Sequence, residues 1–386
     1  MRKSAQSIAR AFTRRDALKT LGAASAAMAS PAIVSKAFAA SGEVNVYSWD
    51  AYISEDMMQT FEAASGIKVN LSTFGTNNEV LNKLRASKGE GFDIVLPSIS
   101  SLQSWYDAGA EDGNELLQPI DETRLTAGQI NPSIYEKSLD LGASQRGARY
   151  GVPFNWGTEG LAFNSEELDL TWETASWNDQ WKGEYAGKMA IRPRSGLTSI
   201  ALMIDGTGKM LDDAYQDEAV AHEVFSKALE FGMDHKPNIK VFWKTAADLT
   251  GAFTADGCVV GQSWDGTAIN MWKETDGKIR YVSPKEGALT WMDGLCIPSG
   301  AVNVDQAYEL INFLTSAQGG GMHAVHSGYN SSAIGAEAAL DAAAQERFKM
   351  IYGPNGEAIA NLWWWKPEAG WFSKLRSEYI TRWETA

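Results

Sequence analysis

Between Glu43 and Ser98 the chain alternates two kinds of apolar spacing. Three short apolar runs, Val44–Tyr47, Ile67–Phe74 and Phe92–Leu96, have the length of strands, and two segments of helical period, Ser54–Ala64 and Asn78–Ala86, lie between them. The order β-α-β-α-β predicts an open parallel sheet with helices packed on it. Ligands of such sheets bind outside the carboxyl ends of the strands. There the first strand ends in Ser48-Trp49-Asp50-Ala51-Tyr52 and the third in Pro97-Ser98. Aromatic, acidic and hydroxyl groups are thus delivered to one mouth.

The same alternation continues downstream. Tyr150-Gly151-Val152-Pro153-Phe154 is predicted as a first crossing between two lobes, and Leu161-Ala162-Phe163-Asn164 as the strand after it. Met189-Ala190-Ile191 is a further strand, Glu218–Phe231 a helix, Val259–Ser263 a short buried strand, and Trp291-Met292-Asp293 the return crossing. Asp305–Thr315 is an amphipathic helix with Ala307, Leu310, Ile311 and Leu314 on one face. No internal repeat or low-complexity tract interrupts the chain after Glu43.

The first residues change the picture of where the protein works. Thr13-Arg14-Arg15-Asp16-Ala17-Leu18-Lys19 fits a twin-arginine export signal, followed by an Ala-rich apolar stretch and the small-x-small site Ala37-Phe38-Ala39. Residues 1–39 are therefore read as a signal peptide and the protein as periplasmic. Removing them takes away seven Lys/Arg and one Asp and moves the formal charge from −14 to −20. An acidic surface argues against nucleic acid and anionic membranes as partners. The remaining length suits two domains.

Candidate chemistry concentrates in tryptophan and acids. The chain has 15 tryptophans. Several stand beside carboxylates: Trp49-Asp50, Trp264-Asp265, and Trp291 two residues before Asp293. A ring face attracts a cation, and a carboxylate buried among rings is costly unless a cation pairs with it. Cys258 and Cys296 sit in separate apolar runs and are read as two buried free thiols. His323 and His326, at i, i+3, lack a third ligand and are read as a structural or surface pair, so no metal is expected. No cofactor is expected either: Walker A, Gly-x-Ser-x-Gly and a GxGxxG following a strand are absent.

Nearly the whole chain after the leader resembles the polyamine-binding branch of the solute-binding proteins that feed ABC importers, most specifically at Tyr47–Tyr52, Phe92–Ser98 and Trp291-Met292-Asp293-Gly294-Leu295. The resemblance implies an α/β, two-lobed periplasmic-binding-protein fold, each lobe a mostly parallel sheet flanked by helices and joined by crossing hinge segments. Lobe 1 would take residues 41–152 plus 293–335, and lobe 2 residues 153–292 plus 336–386. It implies a monomeric, non-catalytic receptor that closes on a small organic amine and delivers it to an ABC permease in the inner membrane. The ligand set it implies is Trp49, Asp50, Tyr52, Ser98, Trp264, Asp265, Trp291, Asp293 and Tyr329, to which Trp364 of the Trp363-Trp364-Trp365 run is added.

One segment departs from the family. Where polyamine binders carry an acidic pair, this chain has Arg192-Pro193-Arg194-Ser195-Gly196. A guanidinium there repels a second ammonium and welcomes a carboxylate. Arg194 is therefore a candidate ligand residue, or else points to solvent or pairs with Asp265 or Glu159. Two ligand classes stay open: a polyamine such as putrescine or spermidine, and a zwitterion such as γ-aminobutyrate or a betaine. The competing function is an exported enzyme acting on a small amine or sugar.

Overall fold

A computed structural model describes residues 42–386 except Ala51 and Asn355; the export signal falls outside the described residues. The first sheet is built as the periodicity predicts. Strands β1 (Glu43–Trp49), β2 (Lys68–Phe74) and β3 (Ile94–Val95) pair in parallel in the order β2-β1-β3. The helix Glu55–Ser65 begins because the Ser54 hydroxyl accepts the Met57 N–H, and ends at Gly66, whose φ of 72° suits glycine. Its Met57 and Phe61, one turn apart, are buried against the sheet. The helix Asn77–Ser87 is capped the same way by Thr76 and buries Val80 and Leu84.

A small hairpin, β4 (Ser144–Gln145) with β5 (Ala148–Arg149), precedes the longest strand, β6 (Val152–Asn164). Around β6 gathers the second sheet: β7 (Met189–Ile191), β8 (Ile239–Phe242), β9 (Val260–Trp264), β10 (Ile279–Val282), β11 (Leu289–Leu295), β12 (Asn330–Ser331) and β13 (Trp363–Trp364). Its main path is β13-β11-β6-β9-β7-β8. This sheet is mixed rather than mostly parallel. Strand β6 runs antiparallel to β9, β10, β11 and β12, while β7 pairs in parallel with β8 and β9.

The predicted break between Tyr150–Phe154 and Leu161–Asn164 is absent, because β6 is continuous across both. Its internal Gly157 and Gly160 look like punctuation but are close-approach positions. A Cβ on Gly157 would lie 2.4 Å from the Trp291 ring, and one on Gly160 would lie 2.6 Å from the Tyr281 hydroxyl.

Strands β6 and β11 thread two hydrophobic cores. Val152, Phe154 and Leu295 pack with Val44, Val46 and Ile94 of the first sheet. Leu161, Phe163 and Leu289, at the opposite ends of the same strands, pack with Trp177, Leu197 and Phe225. Bridges Val95↔Cys296 and Ser98↔Asp293 join β3 and the loop after it to the β11 side. The middle of the β6–β11 ladder therefore lies between the cores, and Asp293 is brought to the mouth of the first sheet. Cys258 and Cys296 are buried and free, and Ala307, Leu310, Ile311 and Leu314 of the helix Val304–Leu314 are all buried.

Candidate functional site

The register of β6 and β11 sets the site. Asn155 lies opposite Asp293, Gly157 opposite Trp291, and Glu159 opposite Leu289. Alternation along a strand puts Asn155, Gly157 and Glu159 on one face, together with Trp291 and Asp293. A two-residue step thus separates a carboxylate from a ring, and a second step leads to another carboxylate.

Asp293 is 2% exposed. Its Oδ2 accepts the Tyr52 hydroxyl at 2.5 Å. Its Oδ1 is buried and has no hydrogen bond of good geometry among the described residues, although the Ser98 hydroxyl stands near. Burial pushes the Asp293 carboxyl up from 3.8 to about 7, against the opposing pull of the Tyr52 and Ser98 hydroxyls. Ser98 is itself fixed: its N–H donates to Asn77 Oδ1 at 2.9 Å and its hydroxyl accepts from Asn77 Nδ2 at 3.1 Å.

Three rings wall this carboxylate. Tyr52 lies parallel to Trp291 at a centroid distance of 6.4 Å. Tyr329 stands edge-on to both, at 5.8 Å from Tyr52 and 5.0 Å from Trp291. The Trp291 indole N–H is buried and also without a partner among the described residues. Trp49, at the end of β1, is half-buried against Phe74, and Asp50 lies exposed in the turn that follows.

His323 braces the cage from behind. Its Nδ1 lies 2.9 Å from the Tyr52 carbonyl and its Nε2 lies 3.1 Å from Asn155 Nδ2. A carbonyl only accepts, so Nδ1 carries the proton and Nε2 accepts the amide N–H. Burial lowers the imidazole from 6.5 to about 4, which keeps it neutral in that tautomer near neutral pH. His326 is exposed on the same helix. Among the described residues no group of three or more His, Cys, Asp or Glu is placed to hold a metal ion.

Asp265 opens the helix Asp265–Glu274 and is 1% exposed. Its Oδ2 accepts the Thr158 N–H at 3.0 Å and the Thr158 hydroxyl at 3.2 Å, and its Oδ1 accepts the Gly266 N–H at 2.9 Å. Burial again pushes this carboxyl up from 3.8 to about 7, opposed by those donors. Its donors are in place, whereas one oxygen of Asp293 is open. Tyr329 lies within reach of both acids: burial first, then the Asp265, Asp293 and Glu159 charges, raise its phenol.

The remaining candidates are held by partners outside this cage. Trp264 donates its indole N–H to Glu159 at 2.8 Å. Trp364 packs on Trp156 at 6.1 Å. Arg194 pairs with Glu368 at 2.9 Å, a partner 174 positions away, rather than with Asp265 or Glu159. Glu159 takes instead Arg192, at 2.7 Å. The sequence reading did not single out Asn155, took Glu159 only as an alternative partner for Arg194, and missed Arg192 and the bracing role of His323. The legible signal for the first two was an apolar run, Val152–Phe163, broken by Asn155 and by Thr158-Glu159.

The fit around Gly157 is tight enough to test. A methyl there would meet Trp291 at 2.4 Å and Asp265 Oδ1 at 2.8 Å. Gly157→Ala is expected to cost about 1–3 kcal/mol in denaturant unfolding, as overpacking does, and to turn the Trp291 ring, visible as a change in tryptophan fluorescence. Unchanged stability and fluorescence would show that the ring has slack.

Known proteins share this fold. The family of bacterial extracellular solute-binding proteins matches residues 56–350. The chain is 28% identical over 338 residues to the spermidine/putrescine-binding periplasmic protein of Escherichia coli (strain K12), covering 87% of this chain and 90% of that one. It is 28% identical over 330 residues to spermidine/putrescine-binding periplasmic protein 1 of Haemophilus influenzae, covering 84% of each. The fold superposes on the spermidine/putrescine ABC transporter substrate-binding protein of Streptococcus pneumoniae with a TM-score of 0.71 at 24% identity, covering 89% of this chain and 99% of that one. The α/β periplasmic-binding-protein fold is thereby established. The chain belongs to the bacterial extracellular solute-binding proteins, the non-enzymatic receptors of ABC transporters.

Proposed function

We propose that the protein captures a small organic amine between its two cores and presents it to its permease. The observation that carries this is Asp293: a buried carboxylate with one oxygen open, walled by Tyr52, Trp291 and Tyr329. An ammonium there replaces the lost hydration of the carboxylate and meets ring faces on its other sides. Ser98 and Trp49 complete the mouth. Asp265, already held by protein donors, adds negative potential without offering an open oxygen of the same kind. Because Asp293 is 2% exposed, a ligand enters by a hinge motion that parts the cores and leaves them closed on it. The names of the relatives support a polyamine, while the open oxygen supports one ammonium. Micromolar affinity requires about 8 kcal/mol net, within reach of one charge-assisted clamp and two or three ring contacts. The Arg14-Arg15 segment supports export by the twin-arginine route, and the receptor is read as a monomer.

The test is calorimetry of the refolded protein with putrescine, spermidine, γ-aminobutyrate and glycine betaine. Heat with any of them at micromolar affinity is expected; none with all four overturns the amine reading. A pH series adds an independent arm. The carboxylate form binds the cation, and the free group titrates at about 7, so amine affinity is expected to fall about tenfold per pH unit below 7 and to level off above it. A flat profile from pH 5 to 8 would remove Asp293 from the site.

A further inference from the structure

Glu159 is the second buried acid on the face of β6 that carries the cage, two residues beyond Gly157. It is not available to a cation. Arg192 donates to its Oε1 at 2.7 Å, the Trp264 indole N–H donates to the same oxygen at 2.8 Å, and Gln262 Nε2 reaches Oε2 at 3.2 Å. Arg192 also lies over the Trp264 ring at 4.6 Å, which fixes its plane. Its position follows from the fold: it is the extended residue (φ −91°, ψ 121°) between β7 and the helix Pro193–Asp205, so its side chain reaches over the sheet. Among the described residues only Nη1 donates to protein, and the side chain is 22% exposed. A guanidinium has five N–H donors, so most of this fork remains for a ligand.

We infer that Arg192 sets the ligand class: by neutralising Glu159 it limits the site to one ammonium, at Asp293, and it offers the ligand's other end a donor fork suited to a carboxylate. This rests on the amine reading above. Asn155, opposite Asp293, and Glu159 are four residues apart, about 13 Å along a strand. Two charge-assisted hydrogen bonds of about 2.8 Å each take up part of that spacing and leave roughly 7 Å for the ligand's own chain, the length of a short linear molecule lying along the Trp291 ring. A diamine of that length would set its second ammonium against Arg192, where like charges disfavour it. An amine bearing a carboxylate places opposite charges at both ends.

Two probes of equal length decide this: γ-aminobutyrate and putrescine, each titrated into wild type, Arg192→Gln and Asp293→Asn. Wild type is expected to bind γ-aminobutyrate at least tenfold more tightly than putrescine. Arg192→Gln is expected to reverse the order, weakening the amino acid by tenfold or more and strengthening the diamine as Glu159 is uncovered. Arg192→Lys keeps the charge and should retain the wild-type order, which separates the charge effect from damage to the helix start. An unchanged ratio in Arg192→Gln with folding intact, or a tenfold wild-type preference for putrescine, overturns the inference. Failure of the amine reading looks different: Asp293→Asn would then bind both probes as wild type does, whatever Arg192 does.

Discussion

Replacing Asp293 with asparagine is expected to weaken amine binding by about 2–4 kcal/mol, roughly 30- to 1000-fold in Kd, as truncating one partner of a buried charge pair does. The substitution is nearly isosteric. An amide oxygen still accepts the Tyr52 hydroxyl, now 2.5 Å from Oδ2, so the cage keeps its shape and only the charge is lost. Stability should move the other way. Burial raises the Asp293 carboxyl to about 7 in the folded protein from 3.8. A raised acid contributes stability that is fully present below its unfolded pKa and lost as pH rises through the folded value. The ligand-free wild type therefore loses stability between about pH 4 and 7, and Asp293→Asn removes that group's share of the loss. At pH 8 the variant is expected to unfold at higher denaturant than ligand-free wild type, and at pH 5 the gap should narrow. Asp265, also at about 7, stays in both proteins and leaves a residual slope in each. Calorimetry gives the affinity and urea unfolding at the two pH values gives the stability. Retained affinity, or a stability gap that widens toward acid, would contradict the role given to this carboxylate.

The first sheet and its helices were legible because each local signal agreed with the others. Ser54 and Gly66 bracket a helix whose Met57 and Phe61 are spaced to face the sheet. Aromatic residues next to acids pointed to Trp291 and Asp293, and the structure brings these together with Tyr52 and Tyr329. Strand β6 was harder. Its glycines carry the usual signature of a break, and only the rings of Trp291 and Tyr281, over a hundred positions downstream, explain why they sit in a continuous strand. The choice between Arg192 and Arg194 was not available from spacing. They flank one proline, yet Arg192 is still extended while Arg194 is in the first helical turn, and a helical step sends its side chain toward Glu368. His323 was read as part of a structural or surface pair with His326; what places it under Tyr52 is the packing of its helix, a tertiary fact.

Removing the Glu368 charge is expected to give the largest loss of stability away from the cage. Glu368 is the one acid of a three-charge cluster: Arg376 grips it with two parallel bonds of 2.7 and 2.8 Å, and Arg194 adds a third at 2.9 Å. Side-chain exposure is 9% for Glu368 and 4% for Arg376, but 36% for Arg194. Burial alone would push the Glu368 carboxyl up, yet the two guanidiniums outweigh it and hold it below its ordinary value. A depressed acid contributes stability above its unfolded pKa and loses it as pH falls through the folded one, so this cluster is a source of acid sensitivity. Glu368→Gln leaves Arg376 buried without a counter-charge and should cost about 3–5 kcal/mol in urea unfolding. The same segment reaches the turn that follows β3, since the Glu368 N–H donates to the Ser100 carbonyl at 3.1 Å, but that backbone bond survives the substitution. Amine affinity should therefore stay within about twofold of wild type at temperatures where the variant is folded. Pairing Glu368→Leu with Arg376→Met removes the buried charges together, and Arg194, more than a third exposed, can turn to water. That double variant should recover most of the loss, as buried ion pairs replaced by apolar groups commonly do. A cost below about 1 kcal/mol for Glu368→Gln, or a double variant no more stable than the single one, would mean that the cluster is solvated well enough for its charges not to need one another.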